Sequence, residues 1–482
     1  MNSVTPRPHS LAGIIDSLPS DIDVSVIGDT SKVVTDISSD HRLVQTGDLF
    51  CCVRGESFDG HQFAHDAISR GAVALLVEQL IEGLGQEVVQ IRVSRVRDAI
   101  GWFAAAIYDH PARDLVVVGV TGTNGKTSTT SMIGDLLRGL GHSVMVFGTL
   151  SGERTTPEAI DMQQRLAQCR VDGVSHVVME VSSHALVQGR VFGTRFDVVA
   201  FTNLGQDHLD YHKTQEAYFA AKASLFRSVY ADRAVVNIDD PHGLMIFDTT
   251  DVPVNSFGLS DVSDVVVSAR SSQFQWHDNM FRVPIGGAFT VMNLLAAVTV
   301  VNILGYSPSD IARACQNVQP IRGRFELVAG TNDFDVVVDY AHTPEGLEEL
   351  LKTARTLTQG RLIVVFGCGG DRDRAKRPMM GQLAAGLADV VIVTSDNPRN
   401  EDPQVIIDEI SAGITAPRAA VHHILDRRDA IHDAIHRARR GDIVVIAGKG
   451  HETTQEIAGV KAEFDDVQVA KSALLSVNGA TQ

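Results

Sequence analysis

Short, almost wholly apolar runs alternate along the chain with longer stretches whose apolar residues recur at helical spacing. The clearest runs lie at 115–120, 177–181 and 198–201, and again at 336–338, 362–366, 390–393 and 443–446. A strand with one face in water alternates apolar and polar residues. These runs do not, so they predict strands buried on both faces, with helices between them, in parallel, doubly wound sheets. Before residue 113 the pattern is shorter and more broken, as in GDLFCCV and AVALLVE, and this block ends near His110-Pro111. The reading is α/β with three domains: a smaller α/β domain over 1–112, a central domain with a parallel-rich sheet over 113–324, and a third over 325–482. No short-period repeat or low-complexity tract interrupts it.

The stretch LVVVGVTGTNGKTSTTSMIGDLLRGLG adds chemistry to this pattern. A strand runs into Thr121-Gly122-Thr123-Asn124-Gly125-Lys126-Thr127. Ile133, Leu136, Leu137 and Leu140 then recur at helical spacing up to Gly141, a natural stop. Glycines let backbone N–H groups turn around phosphate oxygens, Lys126 brings charge to the outer phosphates, and the Thr127 hydroxyl suits Mg²⁺. Where the strict phosphate-loop pattern has its first glycine this chain has Val120, so the loop is a variant. A tight strand–helix turn with an incidental lysine is the bland alternative.

In open α/β sheets ligands bind beyond the carboxyl ends of the strands. Four runs of the third block end in polar residues: Asp339-Tyr340-Ala341-His342, Gly367 to Arg372, Asp396-Asn397-Pro398-Arg399, and Gly448 to Glu452. Arg372 and Arg399 suit a carboxylate, which a guanidinium holds with two parallel hydrogen bonds. Glu452 suits an amine. A ligand carrying both groups is an amino acid. For Arg399 the alternative is an ion pair with nearby Glu401 or Asp402. In the second block Glu180 and His208 follow strand ends and are reasonable Mg²⁺ ligands with Thr127. A lone Glu or His is otherwise a solvated or structural residue.

Bulk composition narrows the partners. The 42 basic and 59 acidic side chains give a net charge of −17, which disfavours nucleic acid and acidic membrane surfaces. Cys51, Cys52, Cys169, Cys315 and Cys368 are odd in number and lack metal or redox spacing, as expected of buried thiols in a reducing compartment. The polar start MNSVTPRPHS has no signal core, and no stretch reaches transmembrane length. A cytoplasmic protein is expected.

Taken together the motifs resemble the Mur ligases. They are TGTNGKT, the Thr155-Thr156-Pro157 turn, MEVSSHALVQGR, FTNLGQDHLDYH, AAKASLF, RGRFE, DYAHTPEGL, VFGCGGDRDRAKRP, SDNPR and GKGHE, spread over nearly the whole chain. The resemblance implies an N-terminal UDP-holding domain, a central P-loop-type ATPase domain and a C-terminal Rossmann-like domain. It implies ATP-dependent, ADP-forming amide-bond ligation through an acyl phosphate in peptidoglycan synthesis. The implied substrates are a UDP-muramyl dipeptide and meso-diaminopimelate, and the implied form is a monomer. Gly122, Thr123, Asn124, Gly125, Lys126 and Thr127 then correspond to the ATP loop, with Asn293, Arg324 and Asp339 also at the nucleotide. His41, Thr155, Thr156, Ser182, Gln188 and Arg190 correspond to positions that hold the UDP-muramyl substrate. Glu180, His208 and Lys222 correspond with Thr127 to the Mg²⁺ site and, with Lys126, to the catalytic set. Lys222 matches a lysine that the family carbamylates; without the resemblance it reads as a surface helix lysine. Arg372, Asp396, Asn397, Pro398, Arg399, Gly448 and Glu452 correspond to the amino-acid site.

Two positions depart from the family pattern. Asp40-His41-Arg42 replaces Asp-Ser-Arg before GDLF, and Arg154 replaces a common asparagine. Both bear on the UDP-muramyl pose. Three other readings compete: the same chemistry with L-lysine as acceptor, a folate- or cyanophycin-type ligase, and a nucleotide-binding relative without catalysis.

Overall fold

A computed structural model describes residues 4–55, 58–85, 87–152, 154–205, 207–328, 333–415 and 417–479. Its contacts separate two compact units. The first comprises 1–122, 140–202 and 216–257, and the second 123–139, 203–215 and 258–482.

The first unit holds two large sheets and a two-stranded pairing of His9–Ser10 with Val33–Val34. Near the N-terminus five strands lie in the order Ser25–Ile27, Val89–Arg92, Ala74–Val77, Leu49–Cys51, Ile37–Ser38. Only Ser25–Ile27, at one edge, is antiparallel to its neighbour. The second sheet has six strands, all parallel, in the order Val254–Phe257, Ala234–Asn237, Val198–Phe201, Val116–Thr121, His176–Glu180, Val144–Phe147. The apolar runs at 115–120, 177–181 and 198–201 become three of its four inner strands. Both of their faces are covered, which is why the sequence there shows no alternation. Val120, at the position of the missing glycine, is simply part of this sheet. It is fully buried and pairs with Glu180, so the strand runs on to Thr121 and the turn falls to Gly122.

In the second unit, helix Lys126–Gly139 packs against Ala288–Ile303, an unusually apolar helix buried along most of its length. Strands Ser263–Val267, Ser272–Trp276 and Asn279–Val283 form an antiparallel meander. This unit's largest sheet runs Glu326–Leu327, Asp335–Asp339, Ile443–Ala447, Leu362–Phe366, Val390–Val393, Ala420–His423, parallel except for its first strand, and Thr454–Ile457 and Val460–Glu463 form a separate hairpin. Successive side chains divide between two cores. Val337, Val364, Phe366 and Val445 join Leu351, Met380 and Ile407 on one face. Val336, Val338, Ile363, Val365 and Val444 join Ile431 and Ala470 on the other. The five parallel strands all point their carboxyl ends the same way, and so set out together the polar residues that follow them.

Candidate active site

The phosphate loop follows strand Val116–Thr121. Gly122 and Gly125 adopt φ of +152° and +83°, in the region that favours glycine. A Cβ on Gly125 would lie 2.4 Å from the Asn293 Oδ1, so close approach as well as conformation requires glycine here. The loop is braced by Asn203. Its carbonyl accepts from the Thr123 N–H at 2.8 Å, its Oδ1 from the Asn124 N–H at 2.9 Å, and its Nδ2 donates to the Asn124 carbonyl at 3.3 Å. The Gly205 N–H donates to Thr123 Oγ1 at 2.9 Å. Lys126, half-buried, donates from Nζ to the Thr123 carbonyl at 2.8 Å and begins the helix, whose N-terminus favours anions. Arg324 Nη2 lies 3.3 Å from Thr127 Oγ1, and its guanidinium sits 4.7 Å from the Tyr340 ring centre. Asp339, at the end of its strand, accepts from the N–H groups of Phe325 and Ala341 at 2.7 and 2.8 Å. Burial pushes its carboxyl above the usual range, and Arg324 pulls it back in part. Asn293, Arg324 and Thr127 thus meet the loop inside one unit, with Asp339 anchoring the backbone next to Arg324.

The first unit holds a second group. Glu180 ends its strand at 1% exposure and accepts from the Thr149 N–H and hydroxyl at 2.8 and 3.2 Å. Thr149 Oγ1 is 3.1 Å from Thr155 Oγ1. The Thr156 hydroxyl donates to the Glu180 carbonyl at 2.9 Å and accepts from the Ser182 N–H at 3.0 Å. Ser182 caps helix Ser183–Val187. Arg190 donates to the Thr156 carbonyl at 3.1 Å and to Gln188 Oε1 at 2.6 Å, and pairs with Glu158 at 3.0 Å. Thr155, Thr156, Glu180, Ser182, Gln188 and Arg190, dispersed over 36 positions of sequence, therefore form one network. His41 belongs to a different arrangement: its ring stacks on Phe63, 4.3 Å between centres and 2° between planes.

Lys222 is not a surface lysine. It is 1% exposed in helix Gln215–Ala223; its Nζ donates to the Gly122 carbonyl at 2.7 Å and lies 4.5 Å from the Tyr218 ring centre. Its periodicity as the polar end of EAYFAAKA concealed this, because the partner lies 100 residues away. His208, at φ +54°, is about half exposed and lies 3.4 Å from Asp207. Among the described residues no three His, Cys, Asp or Glu side chains gather into a metal-binding group.

The third group lies at the strand ends of the second unit. Asp396 and Asn397 are buried. Asn397 Nδ2 donates to Glu452 Oε2 at 2.8 Å, while its Oδ1 accepts from Lys449 Nζ at 3.1 Å and the Glu456 N–H at 3.0 Å. Lys449, fully buried, also pairs with Glu452 at 3.0 Å. The Glu452 carboxylate is therefore already shared with an ammonium group, which sequence reasoning did not foresee. A Cβ on Gly448 would fall 2.5 Å from Asp396 Oδ2. Pro398 is buried, and Arg399 follows it at φ +52°. Arg399 does not pair with Glu401 or Asp402. Glu401 pairs with Arg377, and Asp402 caps helix Pro403–Ser411. Arg399 Nη1 donates to the Gly370 carbonyl at 2.6 Å, and Arg372 Nη1 to the Asp371 carbonyl at 3.3 Å. Both side chains lie against Gly369, and among the described residues neither has a carboxylate within ion-pair distance.

A phosphate loop at the N-terminus of a helix, joined in one chain to a polar network and a strand-end cluster of arginines, defines a nucleotide-dependent ligase. The Mur ligase family catalytic domain matches residues 33–108, the Mur ligase middle domain 120–301, and the Mur ligase glutamate ligase domain 323–450. The chain belongs to the Mur ligase family. It is 44% identical over 469 residues to the UDP-N-acetylmuramoyl-L-alanyl-D-glutamate--2,6-diaminopimelate ligase of Syntrophomonas wolfei, covering 93% of this chain and 96% of that one. The enzyme of the same name from Geobacillus kaustophilus is 44% identical over 465 residues, covering 91% and 94%. A solved structure of a ligase with that name is 34% identical, with a TM-score of 0.69 over 98% of this chain and 100% of the other. MurF from Acinetobacter baumannii, 20% identical with a TM-score of 0.64, shares the fold over 92% of this chain and 96% of its own.

Proposed function

We propose that the chain joins meso-2,6-diaminopimelate to UDP-N-acetylmuramoyl-L-alanyl-D-glutamate, with conversion of ATP to ADP, as a step of peptidoglycan synthesis in the cytoplasm. The observation that supports the choice of acceptor is the pair of arginines at Gly369, where the Arg399 guanidinium and the Arg372 side-chain stem both lie, neither with a carboxylate partner among the described residues. Diaminopimelate has two carboxylates and lysine one. The naming of full-length relatives supports the same choice.

ATP transfers its terminal phosphoryl group to the free D-glutamyl carboxylate, which converts a poor leaving oxygen into phosphate. Lys126 and the N–H groups at the start of its helix offset charge on the phosphates. Arg324, close to Thr127 and stacked on Tyr340, adds a second cation on the nucleotide side. The Thr155–Arg190 network holds the muramyl substrate. The acceptor amine then attacks the acyl phosphate and phosphate departs.

The donor types that the resemblance assigns suit magnesium: the Glu180 carboxylate, the Thr127 hydroxyl, the His208 imidazole and a carbamate on Lys222 supply mainly hard oxygen. Magnesium, when bound, would offset charge on the transferring phosphoryl group. The carbamate rests on the match of AAKASLF to the family pattern; Lys222 is buried, with its Nζ beside the Gly122 carbonyl at the phosphate loop. A single chain carries every residue assigned, consistent with action as a monomer.

The reading is tested by offering single amino acids with UDP-muramyl dipeptide and ATP, and following ADP and phosphate. ADP formation dependent on meso-diaminopimelate is the expected result. Turnover with L-lysine alone would replace the acceptor, and no turnover with any amino acid would remove the ligase reading.

A further inference from the structure

Arg372 and Arg399 stand on separate loops, and each loop includes a residue whose backbone resists its conformation. Asp371 has φ +51° and Arg399 φ +52°, in the left-handed region that non-glycine residues avoid. Something must hold both. The DRDRAKRP run contains a third arginine that the acceptor site does not use directly. Arg377 is 0% exposed, and its guanidinium reaches both loops. Nη2 donates to Glu401 Oε1 at 2.8 Å and to the Gly369 carbonyl at 3.2 Å, and Nη1 donates to Glu401 Oε2 at 2.9 Å. Glu401 in turn accepts the Asp371 N–H at 2.6 Å. Asp371 Oδ2 accepts from the Asn400 N–H and Nδ2 at 3.3 and 2.9 Å, and the Gly370 N–H donates to the Asn397 carbonyl at 2.9 Å. These ties join the 369–371 loop to the 397–401 loop, directly or through Arg377. The two loops are also in close contact: a Cβ on Gly370 would lie 1.9 Å from the Pro398 carbonyl oxygen.

We propose that Arg377 and Glu401 form a lock that fixes the two loops to each other and so sets the spacing of the Arg372 and Arg399 guanidinium groups that read the acceptor's carboxylates. Both are positioning residues, acting through the loops. The lock rests on the acceptor reading above for the identity of the ligand, but not for its geometry. Arg377 also donates to Glu409 Oε2 at 2.7 Å, which ties helix Lys376–Leu387 to helix Pro403–Ser411. Glu409 also pairs with Arg374, and its removal leaves every tie between 369–371 and 397–401 in place, so it offers a control of the same charge chemistry.

The test compares Glu401→Gln with Glu409→Gln in the full chain, with UDP-muramyl dipeptide, ATP and acceptor varied in turn. Glu401→Gln loses a charged, bidentate partner, so the acceptor KM is expected to rise roughly tenfold to a hundredfold, with the KM for ATP unchanged. Glu409→Gln is expected to keep the wild-type acceptor KM. Should Glu401→Gln not fold, Asn400→Ala removes the Asp371 tie at the exposed rim and is expected to raise the acceptor KM several-fold in a stable protein. An unchanged acceptor KM in the loop variants overturns the lock, as does an equal effect of both Gln substitutions that follows their loss of Tm. If the wild type takes an amino acid other than diaminopimelate, the acceptor reading fails. The lock is then judged on the KM for that amino acid.

Discussion

Replacing Arg399 by alanine separates selectivity for the acceptor from the chemistry of ligation. The guanidinium lies against Gly369 and, among the described residues, makes one internal hydrogen bond, from Nη1 to the Gly370 carbonyl at 2.6 Å. Among those residues its other donors have no carboxylate partner. Lysine has no carboxylate at the far end of its side chain, so the difference between the acceptors isolates this contact. A hydrogen bond to a charged group contributes about 1.5–3 kcal/mol. At about 1.4 kcal/mol per tenfold, one such bond corresponds to a preference of roughly ten to a hundredfold, and a bidentate pair to more. Arg399 is only partly buried, so solvent screening holds the expectation to the single-bond range. Losing the bond to Gly370 costs stability on the order of 1 kcal/mol, which leaves the protein folded. The assay is kcat/KM for meso-diaminopimelate and L-lysine, with UDP-muramyl dipeptide and ATP saturating. The wild type is expected to prefer diaminopimelate strongly, and Arg399→Ala to lose most of that preference by a fall in diaminopimelate kcat/KM. An unchanged ratio in a folded Arg399→Ala would refute the assignment. Equal kcat/KM for both acceptors in the wild type would refute the acceptor itself and leave the phosphate chemistry standing.

Lys126→Ala is expected to lower turnover by about a hundredfold or more at unchanged circular dichroism, because it removes fixed charge from the phosphates; near-normal activity would remove the loop from the reaction. Lys222→Ala is expected to be inactive and to regain part of its activity with added short carboxylic acids standing in for a carbamate; a native mass spectrum in bicarbonate and substrate showing only the bare amine would count against the modification. The Arg377 guanidinium holds the Glu401 carboxyl down to about 2 from an ordinary 4.5. A depressed folded value gives a contribution complete above about pH 4.5 and lost as pH falls toward about 2, so Tm in Glu401→Gln should decline less steeply over that window than in the wild type.

What the sequence makes visible and what it hides divide along a physical line. Strands Leu362–Phe366 and Val390–Val393 were readable to the residue, because burial on both faces leaves an unbroken apolar run with sharp ends. The strand-end residues were readable for a related reason. A parallel sheet places every such end on one side, so Asp339, Asp396, Arg399 and Glu452 could be grouped without knowing their contacts. The choice of partner was not readable. Lys449 neutralises Glu452 and Arg377 takes Glu401, yet in sequence both look like ordinary solvated cations.

The same limit explains why Lys222 resembled a surface residue. Helical periodicity reports which face of a helix is apolar, and an aliphatic lysine stem satisfies either face. Burial of its ammonium end depends on the Gly122 carbonyl, at a separation that no local pattern encodes. Asn203 is a parallel case. A polar residue two positions after a buried strand reads as loop, and only the fold sets it against Thr123 and Asn124, where it braces the phosphate loop. The strand-end residues were therefore legible from type and position along a strand, whereas the UDP-muramyl positions and Lys222 came only from the resemblance. Asn203, Arg377 and Lys449 are polar groups whose hydrogen bonds are made inside the protein. Their roles follow from the requirement that a buried charge or amide find partners, and this requirement can be evaluated only when the partners are seen.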